Sequence, residues 1–525
     1  MTPAVRLSAD LHIPVARESA SADRCRQSAI ALQKQGRVED AIHLYLRGLA
    51  IDPSDAAGFR CLGTAYKKQG RLDLAAACFR RAVELCPAFP EAWNNLGNTL
   101  SEQGALPAAA ECFLRACHIQ PEFAGAHFNY AQALAGMGRF DASIAACRRA
   151  IVLAPRSAEF YNGLGIVLFD SQRIEEALSA YEQALVLRPD FASARYNRSL
   201  AWLLQGDFAR GWSEYEWRWK LPSASVPTSY QQPRWDGAPQ PDATILLDAE
   251  QGLGDTIQFA RYAPLVKARV GRVILRCQPP LVALLKSLPS GVDQVIGQDE
   301  PLPSFDAWLP LLSVPQFFTP SIETIPRTVP YLLAEDSLVR FWRPRIERFA
   351  GLRVGIHWQG NPAFLKDRFR SMPLACFEPL AKLPGVRLVS LQKGAGSEQL
   401  VHRTATFPVI DLEPKPAELH APFVDTAAIL RCLDAVVTSD TSLAHLAGAL
   451  GVDTWLAVPH VPEWRWLLDR DDTPWYPSVR LVRQTHVGQW GGVFVRIASA
   501  LRNRALLAQR RDLTHPQTPP DLPSR

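Results

Sequence analysis

The chain has 525 residues, of which 47% are hydrophobic and 21% are charged, as is usual for globular domains. This length exceeds what one hydrophobic core organises, so we expect about three domains. The 57 basic and 52 acidic residues leave a net charge of +5, which is too small to indicate nucleic-acid binding.

The N-terminal residues 1–21 are polar and contain no apolar segment like that of a signal peptide. We predict a disordered lead-in there. No transmembrane segment is expected, because the apolar runs along the chain are too short to cross a bilayer. The 10 cysteines include no CxxC pair, so we interpret them as small core residues in a reducing compartment, and we predict a cytoplasmic location.

A repeat with a period of 34 residues occupies the first two-fifths of the chain. Its most regular element is a proline: Pro53, Pro87, Pro121, Pro155 and Pro189. One unit also has Gly97, Ala109 and Phe113 upstream of its proline, and other units repeat this spacing. The period and the pattern match the tetratricopeptide-repeat consensus, in which each repeat is a pair of helices. We predict five full repeats and a sixth, capping repeat over residues 22–220.

The repeated residue types predict how the helices pack. A glycine such as Gly97 lets the two helices of a repeat approach closely, and an aromatic such as Phe113 fills the gap to the next repeat. The proline ends the second helix, because it lacks an N–H group and clashes with a continuing turn. Asparagines on the first helices predict a groove that hydrogen-bonds a peptide or protein partner, although they could equally be ordinary solvated positions: Asn94, Asn95, Asn98, Asn129, Asn162 and Asn197.

The pattern changes after the repeats. Residues 221–243 contain five prolines and predict a linker or docking segment. Strands and helices then alternate, which predicts parallel sheets. The predicted strands are Thr244–Ala249, Arg272–Cys277, Val292–Ile296, Ala307–Leu309, Leu352–Trp358, Val386–Gln392, Ala435–Ser439, Thr454–Val458 and Val479–Val482.

The predicted fold class is therefore multidomain: an all-α tetratricopeptide superhelix followed by two Rossmann-like, doubly wound α/β domains. We place these domains at residues 244–350 and 351–510, with a disordered tail at residues 511–525. Two such domains in succession imply a cleft between them, and ligands in such sheets bind beyond the carboxyl ends of the strands.

Two candidate sites follow strands of these domains. Gly252 and Gly254 form a tight turn that lets the backbone approach a ligand, and Asp255 stands in the first turn of the next helix. Asp255 could instead be only a helix cap. The second site is the segment from Asp440 to Ser442, where the Thr441 and Ser442 hydroxyls and the free N–H groups of a helix start suit a diphosphate. His445 lies one turn further on, and a helix cap with a core histidine is the alternative.

Two further candidates lie in the second α/β domain. The segment with Trp358, Asn361, Lys366 and Arg370 follows the first strand of this domain and places basic residues at the cleft, where they either neutralise a phosphate or form a solvated loop. Residues 459–476 are rich in aromatic side chains. These rings either stack on a base or sugar, or seal the interface between the domains.

Together these motifs resemble those of bacterial glycosyltransferases of the heptosyltransferase-like group, which have the GT-B fold of two Rossmann-like domains. The resemblance covers residues from about 244 to 501. Gly254-Asp255 is similar to the N-terminal loop of that group, and Ser439-Asp-Thr-Ser-Leu-Ala-His-Leu-Ala-Gly-Ala-Leu-Gly451 is similar to its donor-diphosphate helix. The group lacks the repeats, and its basic motif differs in spacing from Lys366–Arg370. The order of repeats and transferase-like region resembles many bacterial tetratricopeptide proteins.

The resemblance implies a metal-independent glycosyltransferase that needs no cofactor and uses a nucleotide-diphosphate sugar as donor. Asp255 would be the general base, and Lys366 or Arg370 would stabilise the departing diphosphate. The residues implied in donor binding are Gly252, Gly254, Trp358, Asn361, Lys366, Arg370, Asp440, Thr441, Ser442 and His445. The acceptor hydroxyl would belong to a partner in the repeat groove. The alternative is a non-catalytic scaffold whose α/β region has degenerated.

Overall fold

A computed structural model of the chain describes residues 15–222, 230–364, 366–401, 407–412 and 420–514. The chain divides into two compact units, Met1–Ala194 and Arg195–Arg525. The first unit is built from pairs of helices joined by short turns: α1 (Val15–Lys34), α2 (Val38–Ile51), α3 (Ala56–Lys68), α4 (Leu72–Leu85), α5 (Pro90–Glu102), α6 (Leu106–Ile119), α7 (Ala124–Gly136), α8 (Phe140–Leu153), α9 (Ala158–Asp170) and α10 (Ile174–Leu187). The predicted lead-in at 1–21 is too long, since residues 15–21 already belong to α1.

The periodic residues set the ends and the spacing of these helices. The second helix of each pair ends two residues before a periodic proline, as α2 does before Pro53, because a residue that precedes proline disfavours the helical conformation. Gly97 of α5 lies so close to Phe113 of α6 that a Cβ atom added to it would be 2.6 Å from the ring. The structure places this aromatic against the glycine of its own repeat, in a core cluster that also contains Ala133 of the next repeat.

The capping pair of helices belongs to the second unit rather than to the first. The units divide at residue 194, inside α11 (Ala192–Gln205), whereas the sequence predicted an array that ends at residue 220. The next helix, α12 (Phe208–Tyr215), explains this. The Trp212 indole stands edge-on to Phe259 and Trp464, with ring centroids 6.2 Å and 5.2 Å away, and donates a hydrogen bond to the Thr319 carbonyl at 2.9 Å. The pair is thus part of the α/β core.

The predicted linker is largely packed structure. Strand β1 begins at Gln240 rather than at residue 244. Upstream, the Trp235 backbone N–H donates to the Trp308 carbonyl at 2.8 Å, and the Trp308 N–H donates to the Pro233 carbonyl at 3.1 Å. The Trp235 side chain is buried. Residues 230–239 therefore cover the edge of the first sheet, which protects its unpaired backbone groups, while residues 223–229 of the predicted linker lie outside the described residues.

The second unit contains two parallel sheets, and every predicted strand is confirmed. The strands are β1 (Gln240–Asp248), β2 (Val270–Cys277), β3 (Gln294–Gly297), β4 (Ala307–Pro310), β5 (Leu352–His357), β6 (Val386–Ser390), β7 (Ala435–Ser439), β8 (Thr454–Val458) and β9 (Val479–Arg483). The strand orders are β3–β2–β1–β4 and β6–β5–β7–β8–β9. The order reverses between β1 and β4 and between β5 and β7, which are the positions where open parallel sheets bind ligands.

Helices flank these strands. They are α13 (Leu253–Phe259), α14 (Ala263–Lys267), α15 (Val282–Leu285), α16 (Pro315–Phe318), α17 (Asp336–Glu347), α18 (Asp367–Arg370), α19 (Glu378–Ala381), α20 (Glu398–Val401), α21 (Val424–Leu430), α22 (Ser442–Ala449) and α23 (Gly491–Thr514). The predicted disordered tail begins too early, since residues 511–514 still belong to α23. In the described part of the chain, no helix combines the length and the apolar character that crossing a membrane requires.

Candidate functional site

The reversal of strand order in the second sheet brings two predicted segments together. His357 ends β5 and is paired in register with Thr438 of β7. The segment after β7 leads into α22, whose N-cap residue Thr441 is extended and makes no side-chain capping bond. The Thr441 hydroxyl instead lies 3.4 Å from Nδ1 of His357. Because this hydroxyl does not cap the first-turn N–H groups, the start of α22 has the donors of an anion site.

Arg370 supplies positive charge near the end of β5 and the start of α22. Its guanidinium is held by Asp367, with Nε and Oδ1 3.0 Å apart. Burial, and after it the charge of Arg370, lower the pKa of His357 to about 4. Burial also raises the pKa of Asp440, while Arg370 acts in the opposite direction. His357 is therefore neutral near pH 7, and the positive potential at these strand ends comes from Arg370 and from the helix start.

Asp255 lies in the first turn of α13 and has two partners. One carboxylate oxygen accepts a hydrogen bond from the Gly252 backbone N–H at 2.8 Å, so the predicted capping role is present. The other oxygen accepts from the guanidinium of Arg465. About 20% of the Asp255 side chain remains exposed. Since a carboxylate has about four lone-pair positions, these two bonds leave room for an acceptor hydroxyl.

The first turns of α13 and α22 pack directly on each other. A Cβ atom added to Gly254 would lie 2.8 Å from Cδ2 of His445 and 3.3 Å from Cα of Ser442. Gly254 is therefore needed for the close approach of two helices, rather than for the approach of a ligand to the backbone as the sequence predicted. This packing brings Asp255 to the same region as the start of α22.

Arg465 fixes this arrangement and is the site residue to which sequence reasoning gave no role. Its side chain is 6% exposed and pairs with both Asp255 and Glu463. Its Nε atom donates to Oε1 of Gln258 at 2.5 Å. An arginine between two tryptophans was the available signal, since a cation enclosed by aromatic side chains is a candidate for burial. Two of its partners, Asp255 and Gln258, lie more than 200 positions away, and the sequence alone does not name them.

Two predicted donor-binding side chains belong to the core instead. His445 Nδ1 lies 2.9 Å from the Tyr476 hydroxyl, and its ring stacks on Trp466 at a centroid distance of 5.4 Å. Burial lowers the pKa of His445 well below its usual range. Trp358 is fully buried, and its indole N–H donates to the Gly396 carbonyl at 3.2 Å. Both predictions are corrected because these side chains point into the apolar interior.

The remaining predicted residues lie on the loop that leads into α18. The Asn361 side chain is exposed and accepts a hydrogen bond from the Ala363 backbone N–H at 3.0 Å, which shapes a turn. Lys366 is the N-cap residue of α18 and is partly exposed. These two side chains shape and flank the loop, while Arg370 is the basic residue whose charge acts on His357.

The aromatic segment at residues 459–476 seals the contact between the two sheets. Trp464, Trp466, Trp475 and Tyr476 are buried, with exposed fractions of 2% or less. Trp464 and Trp475 pack around Phe259 of α13, with centroid distances of 6.4 Å and 6.0 Å. The interface alternative is the one observed, and these buried rings are not placed to stack on a base or sugar.

The predicted asparagine row is partly self-paired in the first unit. Nδ2 of Asn129 donates to Oδ1 of Asn94 at 2.9 Å, which links the first helices of two successive repeats. Asn162 is buried, with 8% of its surface exposed. Asn95 and Asn98 are partly exposed. Some of the row thus stabilises the stacking of repeats. In the described part of the chain, no group of three His, Cys, Asp or Glu side chains is arranged to hold a metal ion.

Comparison with known families identifies the repeats. Family models described as TPR repeat match residues 31–70 and 63–104, and models described as Tetratricopeptide repeat match residues 90–123, 115–158 and 162–215. The helical array consists of tetratricopeptide repeats. Such repeats indicate a protein that interacts with peptides or other proteins.

The chain is also similar to Protein FlbA of Caulobacter vibrioides, with 26% identity over 336 residues and 60% of this chain aligned. The alignment spans 56% of FlbA, so the chain matches about half the length of this relative.

Several solved structures are similar to the repeats. YrrB, described as a TPR protein with an unusual peptide-binding site, is 20% identical, and the match covers 35% of this chain and 96% of YrrB with a TM-score of 0.32. PilF of Pseudomonas aeruginosa is 18% identical, with 40% of this chain and 96% of PilF covered and a TM-score of 0.36.

Proposed function

We propose that the second unit is a GT-B-type glycosyltransferase that moves a sugar from a nucleotide-diphosphate donor to an acceptor hydroxyl. The repeats would recruit the peptide or protein that carries this hydroxyl. The observation that carries the proposal is the open start of α22 beside Arg370, at the point where the strand order of the second sheet reverses. The resemblance of residues 439–451 to a donor-diphosphate helix supports the same ligand.

On the donor side, the departing diphosphate gains negative charge as its bond to the anomeric carbon breaks. The first-turn N–H groups of α22 and the hydroxyls of Thr441 and Ser442 would hold its oxygens. The Arg370 guanidinium would stabilise the developing charge in place of a metal ion, because a fixed cation in a partly buried site needs no reorganisation during the reaction.

On the acceptor side, Asp255 would take the proton of the acceptor hydroxyl as that oxygen bonds to the anomeric carbon. The sugar is thereby transferred, and the nucleoside diphosphate leaves with the bonding electron pair. Arg465 holds the carboxylate in place through the oxygen that does not bond to Gly252. General base catalysis of this kind contributes roughly 10²–10⁴-fold to a rate.

The donor site is tested by calorimetric titration of the full chain with a panel of nucleoside diphosphates. Arg370→Gln removes one charged donor, so we expect the affinity to fall about 10- to 100-fold, as for a lost hydrogen bond to a charged group. Arg368→Gln is the matched control, because Arg368 lies on the same short helix but its guanidinium stacks on Phe369 at 4.8 Å. If no nucleotide of the panel binds the wild-type chain, the proposal is wrong.

A non-catalytic scaffold is the second candidate, and the two partners of Asp255 favour it. A carboxylate that caps its own helix and pairs with Arg465 has a structural reason to be present without any reaction. Release of free nucleoside diphosphate from a sugar donor distinguishes the candidates. For a transferase we expect release that Asp255→Asn lowers at least 100-fold, while Asp207→Asn, at the capping aspartate of α12, leaves it unchanged.

A further inference from the structure

The first sheet also has a reversal of strand order, and its strand ends differ from those of the second sheet. The strands concerned are β1 and β4, which are neighbours in the sheet. Glu250 follows β1 by two residues, and Ser313 follows β4 by three residues. In open parallel sheets the crevice at this position is the usual place for a ligand.

A side chain from the end of the repeats fills this crevice. Arg218 lies on a single 3₁₀ turn, Glu216–Lys220, that directly follows α12. Its side chain is 4% exposed. Nη2 donates to Oε1 of Glu250 at 2.9 Å and to the Ser313 hydroxyl at 2.6 Å. The guanidinium therefore occupies the place that a ligand takes in other sheets of this kind.

The surrounding charges are balanced only when Arg218 is present. Oε1 of Glu216 accepts hydrogen bonds from Nη1 of Arg218 at 2.5 Å and from Ser313 at 2.7 Å. Oε2 of Glu216 accepts from Arg234 at 2.8 Å. Two carboxylates thus face two guanidinium groups. Removing one member of such a buried set leaves an uncompensated charge.

Glu250 can adjust to that loss. Burial raises the pKa of Glu250 to about 7, and Arg218 acts against this rise. Without Arg218 the carboxyl would take up a proton at neutral pH and remain in place as a neutral group. A chain with a substituted Arg218 is therefore expected to fold.

The end of α12 also contacts Gln251, the residue that follows Glu250. Nε2 of Gln251 donates to the Tyr215 hydroxyl at 3.1 Å, and Tyr215 is the last residue of α12. Gln251 has a φ angle of +66°, which is rare for a residue other than glycine. Such a conformation persists when neighbouring groups hold it in place. Gly252 follows, and its N–H group bonds to Asp255.

We propose that Arg218 is a positioning residue: from the last turn of the capping repeat it holds Glu250, and together with Tyr215 it sets the backbone that places Asp255. This inference rests on the proposed function in assigning a reaction to Asp255. It adds that the turn after the repeats is part of the transferase site, and that the crevice of the first sheet is closed to ligands.

The test compares three variants of the full chain. Arg218→Met removes the guanidinium, and Arg218→Lys keeps the charge. Arg198→Met is the control, because Arg198 forms a partly buried ion pair, with Nε 2.9 Å from Oε2 of Glu214, between α11 and α12. For each variant we would measure nucleoside-diphosphate affinity, kcat and KM, and the hydrogen-exchange rates of amides 251–256.

For Arg218→Met we expect unchanged nucleotide affinity, at least a 10-fold loss of kcat and at least 10-fold faster exchange in this segment. Arg218→Lys should recover most of both effects, and Arg198→Met should show neither. Equal exchange in Arg218→Met and Arg198→Met would overturn the proposal. If the wild-type chain binds nucleotides but has no turnover, the proposed function fails separately, and the exchange comparison still decides whether Arg218 positions the loop.

Discussion

The repeat unit and the α/β unit differ in how far apart along the chain their contacting residues lie. In the repeats, Gly97 meets Phe113 within one helix pair, and Asn129 meets Asn94 one repeat away. In the α/β unit, Asp255 meets Arg465 across 210 positions. Local contacts recur with the period of the sequence, whereas distant ones have no periodic signal. A sequence pattern therefore predicts more of the packing contacts in the repeat unit than in the α/β unit.

The largest expected effect comes from breaking a distant, buried contact. Arg465→Met leaves the carboxylates of Asp255 and Glu463 without their shared cation. We expect the free energy of unfolding of the α/β unit to fall by roughly 3–5 kcal/mol, as for other broken buried ion pairs. Urea unfolding followed by tryptophan fluorescence measures this change. The chain has 14 tryptophans, and all except Trp93 lie in the second unit, so the fluorescence reports mainly on that unit.

The matched control is an exposed ion pair of the repeats. Arg173 pairs with Glu176 at 2.6 Å within α10 and its preceding turn. Surface pairs of this kind are screened by water, so Arg173→Met should leave the unfolding of the repeats, followed by circular dichroism, unchanged within error. A loss of stability as large as that of Arg465→Met would show that the burial of an ion pair does not determine the cost of breaking it.

A smaller effect is expected from crowding a local contact. In Gly97→Ala the new methyl group would lie 2.6 Å from the Phe113 ring, so the two helices must move apart. Overpacking of this kind costs about 1–3 kcal/mol. Thermal unfolding monitored by circular dichroism measures the change.

Two further variants make this result specific. Gly125→Ala is the control, because the new methyl group would meet Phe123 at an ordinary distance of 3.4 Å. The double variant Gly97→Ala with Phe113→Leu should regain part of the lost stability, since the smaller side chain makes room. A Gly97→Ala chain as stable as the wild type would contradict the packing described for the repeats.

The ionisation of His357 is expected to make the free energy of unfolding depend on pH. Its pKa is lowered from 6.5 to about 4, so the folded chain resists protonation that the unfolded chain accepts. The resulting stability is complete above pH 6.5 and is lost as the pH falls towards 4. We expect this loss to be about 1–2 kcal/mol, because His357 is only partly buried and solvent weakens the effect.

Urea midpoints at pH 7.5 and pH 5 would measure this loss. His357→Gln should show a smaller decrease between the two pH values than the wild type. His486→Gln, at an exposed position, should behave like the wild type. Equal decreases in all three proteins would show that the protonation of His357 does not contribute to the pH dependence of stability.

The smallest expected effect tests the coupling between successive repeats. A double-mutant cycle with Asn94→Ala and Asn129→Ala isolates their hydrogen bond, for which we expect a coupling free energy of about 0.5–1 kcal/mol. The readout is the free energy of unfolding of each of the four proteins. A coupling near zero would show that this pair is free to serve a ligand rather than the stacking of repeats.

The sequence by itself determined the repeat and the strands. Proline every 34 residues predicted where the second helices end. Alternation of apolar runs with turn residues predicted the nine strands found among the described residues. Both features depend on neighbours along the chain, because helix termination and strand formation are decided by local backbone preference and side-chain periodicity.

The tertiary structure alone decided which residues share a site. Histidine and tryptophan side chains often contact ligands, but in this fold the side chains of His445 and Trp358 lie in the interior. Arg218 and Arg465 were given no role from the sequence and became central, because burial leaves a charged group stable only beside its partners. Partners such as Glu250 for Arg218 and Asp255 for Arg465 are distant along the chain, and only the tertiary packing brings them together.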